Sequence, residues 1–244
     1  MRLSHTQLNM LLRCPKSYEF RYIKGLKIPA THHLTLGSAY HHALEINFVS
    51  KVKTHDDLPL DVVTDAFSDE WDKRLKTDEP VFVGAKPGEV KDSGIAIVSK
   101  YHTEMAPSIQ PFMVEEKFDV NVGPCAFTGV IDLVTENQVI DHKTSSRIWT
   151  QDKVDADIQA TAYLMACEKL GLPVQQFEYH VAVATKEPSL QTLKTARSKR
   201  DVARYVDLLK RAATIIQSGT FMDASPDAWW CGPKYCGYYK LCKA

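Results

Sequence analysis

Gly129-Val130-Ile131-Asp132-Leu133-Val134, followed after a short turn by Val139-Ile140-Asp141-His142-Lys143-Thr144, is the stretch on which the fold turns. The first run is an apolar strand carrying Asp132, and the second passes from Val139 and Ile140 into Asp-x-Lys. Because side chains alternate along a strand, Asp141 and Lys143 point to the same sheet face. Two carboxylates and an ammonium group gathered in this way suit a divalent metal. Hard oxygen ligands hold Mg²⁺ or Mn²⁺, and the cation polarises a phosphodiester and lowers the pKa of a bound water. The lysine orients that water or offsets charge in the transition state. An isolated Asp-x-Lys is also an ordinary cross-strand surface pair. Here it sits at the exit of a buried strand, where apolar alternation should continue, and such a break in pattern is a mark of function.

Outward from this stretch, Val114, Glu116, Phe118 and Val120 alternate with Glu115, Lys117 and Asp119, so a strand opens near Phe112. Residues 126–134 and 138–143 follow as short strands of one meander. Residues 155–170 read as a helix stopped by Gly171 and Pro173, 177–184 as a strand, and roughly 198–217 as a long helix. Upstream, Ser4-His5-Thr6-Gln7 reads as a capping box opening a short helix that delivers Cys14. GSAYHHALEINF at 37–48 reads as a second helix with His41 and Glu45 on one face. Between about 56 and 105, helical patterns around Val62, Phe67 and Trp71 and around Ile95, Ile97 and Tyr101 flank a loop with Pro80, Gly84, Pro87 and Gly88. The order α, β, β, β, α, β, α, without repeat or low-complexity linker, predicts one α/β domain over 1–244. A helical insertion covers about 45–110, and the sheet core 112–186.

With 244 residues, 44% hydrophobic and 25% charged, the chain can bury a core, which excludes a disordered or fibrous protein. Lys plus Arg equals Asp plus Glu at 30 each, so any nucleic-acid footprint must be local. Two stretches qualify by composition. Lys194, Arg197, Lys199, Arg200, Arg204 and Lys210 could neutralise phosphates, while Lys16, Arg21, Lys24 and Lys27 interleave with Tyr18, Phe20 and Tyr22 as a single-strand track would. The N-terminus lacks the apolar run of a signal peptide and no stretch could span a bilayer, so a soluble cytoplasmic protein without a membrane partner is expected.

In a reducing compartment six cysteines point to thiols or metal ligands. Cys125 and Cys167 stand alone in apolar stretches and are expected in the core. Cys231, Cys236 and Cys242 crowd together near one end, and Cys14 lies near the other. Four thiolates are what a [4Fe-4S] cluster or a structural zinc requires.

The ordered set His41, Glu115 or Glu116, Gly129-x-x-Asp132, Asp141-x-Lys143 and Gln159-x-x-x-Tyr163 resembles the RecB-like exonuclease branch of the PD-(D/E)XK nuclease superfamily over nearly the whole chain. The resemblance implies a restriction-endonuclease-like central mixed sheet flanked by helices. It further implies that His41, Asp132 and Asp141 bind Mg²⁺ or Mn²⁺ and that Lys143 is catalytic. Gln159 and Tyr163, one helical turn apart, would support the site and DNA engagement. His42 is the neighbouring decoy of His41. The family pattern favours Glu115 as a further catalytic acid, although strand alternation sets Glu115 and Glu116 on opposite faces. The same resemblance favours iron and sulfur over zinc at Cys14, Cys231, Cys236 and Cys242, making 225–244 with Cys14 a staple. The four residues between Cys231 and Cys236 depart from the spacing of two more common in that family.

The expected function is thus a metal-dependent DNA exonuclease acting on single strands or ends, in recombination, repair or CRISPR adaptation. If phage-encoded, it would act in the host cytoplasm. A helicase, recombination proteins or CRISPR integration proteins are the partners the resemblance suggests. Two rivals stand beside it. One is a catalytically weak DNA-binding accessory subunit that keeps the iron-sulfur or zinc staple, and the other a zinc-stapled RNA-processing or other hydrolytic enzyme.

Overall fold

A computed structural model describes residues 1–174 and 176–243. In chain order it contains β1 (Arg2–Ser4), α1 (His5–Arg13), α2 (Pro15–Tyr18) continued by a π-helical turn (Glu19–Ile23), α3 (His32–Thr54), α4 (Leu60–Asp78) and α5 (Pro87–Glu104). After a 3₁₀ turn (Ala106–Ser108) come β2 (Met113–Val122), β3 (Cys125–Val134) and β4 (Gln138–Ser145). Then follow α6 (Gln151–Ala156), α7 (Ile158–Lys169), β5 (Gln176–Val183), β6 (Ser189–Ala196), α8 (Lys199–Ser218) and α9 (Tyr239–Cys242). The sheet is six-stranded and mixed, ordered β1-β3-β4-β5-β6 with β2 also paired to β3. The β1/β3 and β4/β5 pairs are parallel, and β3/β4 and β5/β6 antiparallel. Among the described residues no helix is long and apolar enough to cross a membrane.

The chain packs as two compact units. The larger comprises Pro29–Lys117 and Val130–Ser198. In it, α3 buries Leu36, Ala39, Tyr40, Ala43, Leu44 and Phe48 at helical spacing, against Phe67 and Trp71 of α4, Ile97 and Tyr101 of α5, and Leu133 and Ile140 of the strands. Two polar side chains are buried on the same helix without loss. Asn47 and Lys51 each donate to Asp57 at 2.7 Å, and Lys51 also donates to the Ala106 carbonyl at 2.7 Å. Strand β5, between β4 and β6, is buried at every position but its first, as a doubly covered strand should be.

Several expectations for this unit need correction. The second helix starts at His32, five residues ahead of the Gly37 that looks like its opening, because Thr31 holds the extended cap conformation and Thr35 and Leu36 are already buried. The expected 155–170 helix is two helices broken at Asp157, whose Oδ1 accepts the Gln159 N–H at 2.9 Å as an N-cap. Strand β6 is not legible in the sequence. Leu190 and Leu193 are three residues apart, which hides its period of two. Two residues in the basic stretch are also committed elsewhere. Lys194 pairs with Glu178 at 2.6 Å, and Arg197 donates to Thr161 and to the carbonyls of Val154 and Asp157.

The second unit comprises Met1–Ile28, Phe118–Gly129 and Lys199–Ala244. The capping box forms as expected: Ser4 Oγ accepts from Gln7 N at 3.3 Å, and Ser4 N donates to Gln7 Oε1 at 2.8 Å. Leu3 on β1 pairs with Phe127 on β3, and Tyr205 of α8 meets the Phe127 ring edge-on at 5.8 Å. The two terminal segments are tied by Lys16 N donating to Met222 O at 3.1 Å and Tyr238 Oη to Leu26 O at 2.7 Å. Tyr18 and Phe20 are buried, so these two aromatics belong to the core rather than to a strand-tracking surface. Cys125 in this unit and Cys167 in the other are both buried, as expected.

Candidate metal centre

Within the larger unit, β3 and β4 run antiparallel with Leu133 opposite Ile140, which brings Asp132 beside the start of the Asp141-His142-Lys143 segment. Asp132 Oδ2 accepts the backbone N–H of His142 at 2.8 Å and lies 3.4 Å from His41 Nδ1 of α3. Glu115 joins them by an unusual route. Its φ of +50° is in the left-handed region, which costs an L-residue about 1–2 kcal/mol and breaks the simple alternation of β2. His41, Glu115 and Asp132 each bring a ligand atom within 4.8 Å of the other two. The family pattern favours Glu115 over Glu116, and Glu115 is the one that joins this group.

Asp141 is buried at 1% exposure but is not a member of that group. Its Oδ1 accepts from Gln159 Nε2 at 2.7 Å, and its Oδ2 pairs with Lys143. Gln159 thereby positions Asp141 across from α7. Tyr163, one turn further along α7, is buried with its ring 6.2 Å from that of Phe177. His42 pairs with Glu45 at 3.5 Å. His41, Glu115 and Lys143 line a cavity of about 980 Å³, which Gly37, Ser38 and Thr144 also border.

The electrostatics follow from crowding acids in a poorly hydrated place. Burial, with the charges of Asp132, Glu45 and Asp141 added, pushes the Glu115 carboxyl up to about 8. Burial raises Asp141 as well, against the opposing pull of Lys143. For Lys143, burial favours the neutral amine, but Asp141 and Asp132 outweigh it and hold the ammonium charged. Behind the site, Tyr101 Oη bridges His142 Nε2 at 2.9 Å and His180 Nδ1 at 2.8 Å, and His180 continues to Glu178 at 3.2 Å. Burial and the nearby His180 lower the His142 pKa, so that ring is neutral. Neither this relay nor the place of Ser38 and Thr144 on the cavity wall is legible in the sequence, whereas Glu45 shares the wall with His41 as their common helix face implies. Tyr101 reads only as a helix-core aromatic until its partners on β4 and β5 are known.

In the other unit, Cys14, Cys231, Cys236 and Cys242 all line one small cavity of about 20 Å³, together with Asp223 and Tyr238. Burial raises the Cys242 thiol pKa, followed by Asp223, with smaller contributions from Cys14 and Cys231. Cys14 from one terminal segment and Cys231, Cys236 and Cys242 from the other therefore line the same small space.

No curated protein sequence matches the chain. Among solved structures, a protein provisionally named an exonuclease from Eubacterium rectale superposes with a TM-score of 0.60 at 10% identity, covering 94% of this chain and 86% of that one. At that identity the likeness is one of fold. The profile of the PD-(D/E)XK nuclease superfamily matches residues 2–243. With the match running almost end to end and the mixed sheet in place, the chain belongs to the PD-(D/E)XK nuclease superfamily.

Proposed function

We propose that this nuclease is a Mg²⁺- or Mn²⁺-dependent deoxyribonuclease acting as an exonuclease on single-stranded DNA or DNA ends. The observation that carries the reading is the convergence of His41, Glu115 and Asp132 within 4.8 Å, next to the Asp141–Lys143 pair. This donor set fits a divalent cation. Two carboxylates supply hard oxygens and an imidazole supplies the nitrogen, while burial first, and then the charges of Asp132, Glu45 and Asp141, raise the Glu115 pKa. A divalent ion bound there would polarise a phosphodiester and acidify a water. The chain's own groups do the rest. Gln159 fixes Asp141, Asp141 fixes the Lys143 ammonium, and Lys143 at the cavity wall draws a backbone phosphate and offsets its growing negative charge. The exonuclease part of the reading is supported by the name given to the Eubacterium rectale protein.

The test is degradation of end-labelled single-stranded and duplex DNA with Mg²⁺, Mn²⁺ or EDTA, using wild type, Asp132→Ala and Lys143→Ala. Each substitution should cost about 100-fold or more in rate, and EDTA should abolish activity. Equal degradation by all three proteins would defeat the reading. The accessory-subunit rival predicts the opposite for wild type, namely DNA binding without hydrolysis.

The same proposal extends to the cysteines. Cys14, Cys231, Cys236 and Cys242 would hold a [4Fe-4S] cluster, and their shared cavity supports it. Anaerobically purified protein should be brown, with iron and acid-labile sulfide near four per cluster. One zinc per chain without iron would refute it.

A further inference from the structure

The cavity at the metal centre extends along α3 beyond His41. His33, Gly37 and His41 recur every four residues on that helix and all border the cavity. Eight residues of helix separate the two imidazoles by about 12 Å along the axis. At the far position the His33 ring lies against that of His32, with centroids 4.0 Å apart, and the His32 ring is stacked on Phe82 at 5.4 Å and 8°. This stack is anchored at its inner end. His32 is 5% exposed, its N–H donates to the Val81 carbonyl at 3.2 Å, and Val81 N–H donates to Ala30 O at 2.8 Å. His33, by contrast, is exposed. The buried His32–Phe82 stack therefore backs an accessible imidazole, tilted 41° to His32, on the wall of the cavity.

Nothing in the proposed hydrolysis uses that stack. We infer that His33, backed by His32 and Phe82, is a stacking platform for one nucleobase of a single DNA strand, a nucleotide or two from the phosphodiester at the metal centre. The inference rests on the nuclease reading above and adds the basis of its strand preference. A base within a duplex has both faces covered by its neighbours, whereas an unpaired base can offer one to a ring. Phosphate is the poorer occupant. Partial desolvation of the otherwise exposed ring, followed by the charge of His32, lowers the His33 pKa and favours a neutral ring, and Arg74 on the same cavity wall is committed to Glu70 at 2.7 Å and Asp78 at 3.3 Å. Stacking is also tolerant of sequence, which suits a degrading enzyme.

The experiment compares wild type, His33→Ala and His33→Phe on single-stranded oligonucleotides, intact or carrying abasic sites in the two nucleotides next to the scissile end. Binding is read by anisotropy in EDTA, and kcat and KM in Mn²⁺. His33→Ala should weaken binding and raise KM by about tenfold with kcat nearly unchanged, and His33→Phe should restore both. Wild type should lose a similar factor on the abasic strand, with no further loss in His33→Ala, because the two changes remove one contact. Circular dichroism checks that the alanine variant folds. Should it not, the abasic arm with wild type and His33→Phe decides alone. An unchanged KM in folded His33→Ala, or an abasic penalty absent in wild type or equal in both proteins, overturns the platform. Wild type that binds the intact strand better than the abasic one yet hydrolyses neither would sink the nuclease reading and leave the platform standing.

Discussion

Glu115 is a carboxylate held where it does not want to ionise. Its folded-state pKa is about 8, against an ordinary value of 4.5. Between those values the folded chain keeps a proton that the unfolded chain has released, so metal-free stability falls as pH rises through this window and the loss is complete above 8. Thermal melts in EDTA from pH 5 to 9 should show that fall, and Glu115→Gln should flatten it. Each kcal/mol moves Tm by about 2–4 °C in a chain this long. Saturating Mn²⁺ should raise Tm most at the alkaline end, where it replaces the lost proton; a rise equal at pH 5 and pH 9 would contradict this. Lys143 poses the converse case. Lys143→Ala strands the buried Asp141 without its cation, and the cost should be about 2–3 kcal/mol at pH 8, below the roughly 3–5 of a fully enclosed pair because Lys143 keeps 26% exposure. Urea titrations should find a smaller loss at pH 5, where Asp141 can take up a proton. At this scale the sequence was partly transparent. Asp132, Asp141 and Lys143 could be singled out because they interrupt apolar strands, but only the family pattern favoured Glu115 over Glu116, since a φ of +50° at Glu115 suspends the alternation that would have sorted them. His33 was invisible for a different reason: its meaning depends on Phe82, which arrives from a distant loop.

Elements meet at glycines whose purpose no propensity scale conveys. Gly94 is in the interior of α5, where alanine is ordinarily better by about 1 kcal/mol. A methyl group there would fall 2.0 Å from Cζ of Phe67, a fully buried ring on α4. Gly94→Ala should therefore destabilise by about 1–3 kcal/mol, reversing the usual sign, and Gly94→Ala combined with Phe67→Leu should recover part of it. Denaturant midpoints decide; a stabilised single variant would mean that α4 and α5 part easily. Gly129, the glycine of the Gly-x-x-Asp segment, is confined in the same way by Phe118, 2.6 Å from where its methyl would stand. Helices α4, α5 and α8 could be anticipated from repeating apolar positions, and β3, β4 and β5 from apolar runs. Strand β6 could not, because its exposed face carries Thr192 and Lys194, the other face carries Gln191 and Thr195, and its two leucines fall off the period. The Tyr101 bridge belongs to this scale as well, since it links α5 to β4 and β5. Tyr101→Phe leaves His142 and His180 short of a buried partner and should cost about 1–3 kcal/mol.

Across the whole molecule, the terminal unit raises the question of what keeps the chain ends folded. After α8 closes at Ser218, about twenty residues run to α9 without regular structure, an uncommon length unless something fastens it. Among the described residues the ties include Lys16 N to Met222 O, Trp230 Nε1 to Arg13 O at 3.3 Å, Tyr238 Oη to Leu26 O, the Phe20 ring against Tyr238 at 5.5 Å, the Tyr18 ring stacked on Phe221 at 6.0 Å, and Arg13 over the Trp229 and Trp230 rings at 5.9 and 5.6 Å. Tyr238 is buried, but Trp229 is 69% exposed and Leu241 54%, so much of the segment's apolar surface stays open. A cluster joining Cys14 to Cys242 would close a loop of more than two hundred residues, and the chain-entropy argument values such a cross-link at about 5 kcal/mol. On this reasoning Cys14→Ser, or oxidation and chelation of a cluster held there, should speed amide exchange in 1–28 and 219–243 while α3, α4 and α5 keep their protection. The outcome to watch is the contrast between those regions. Terminal segments that stay protected in Cys14→Ser would show that the aromatic and backbone ties suffice, and the cysteines would then owe their shared cavity to something other than a staple.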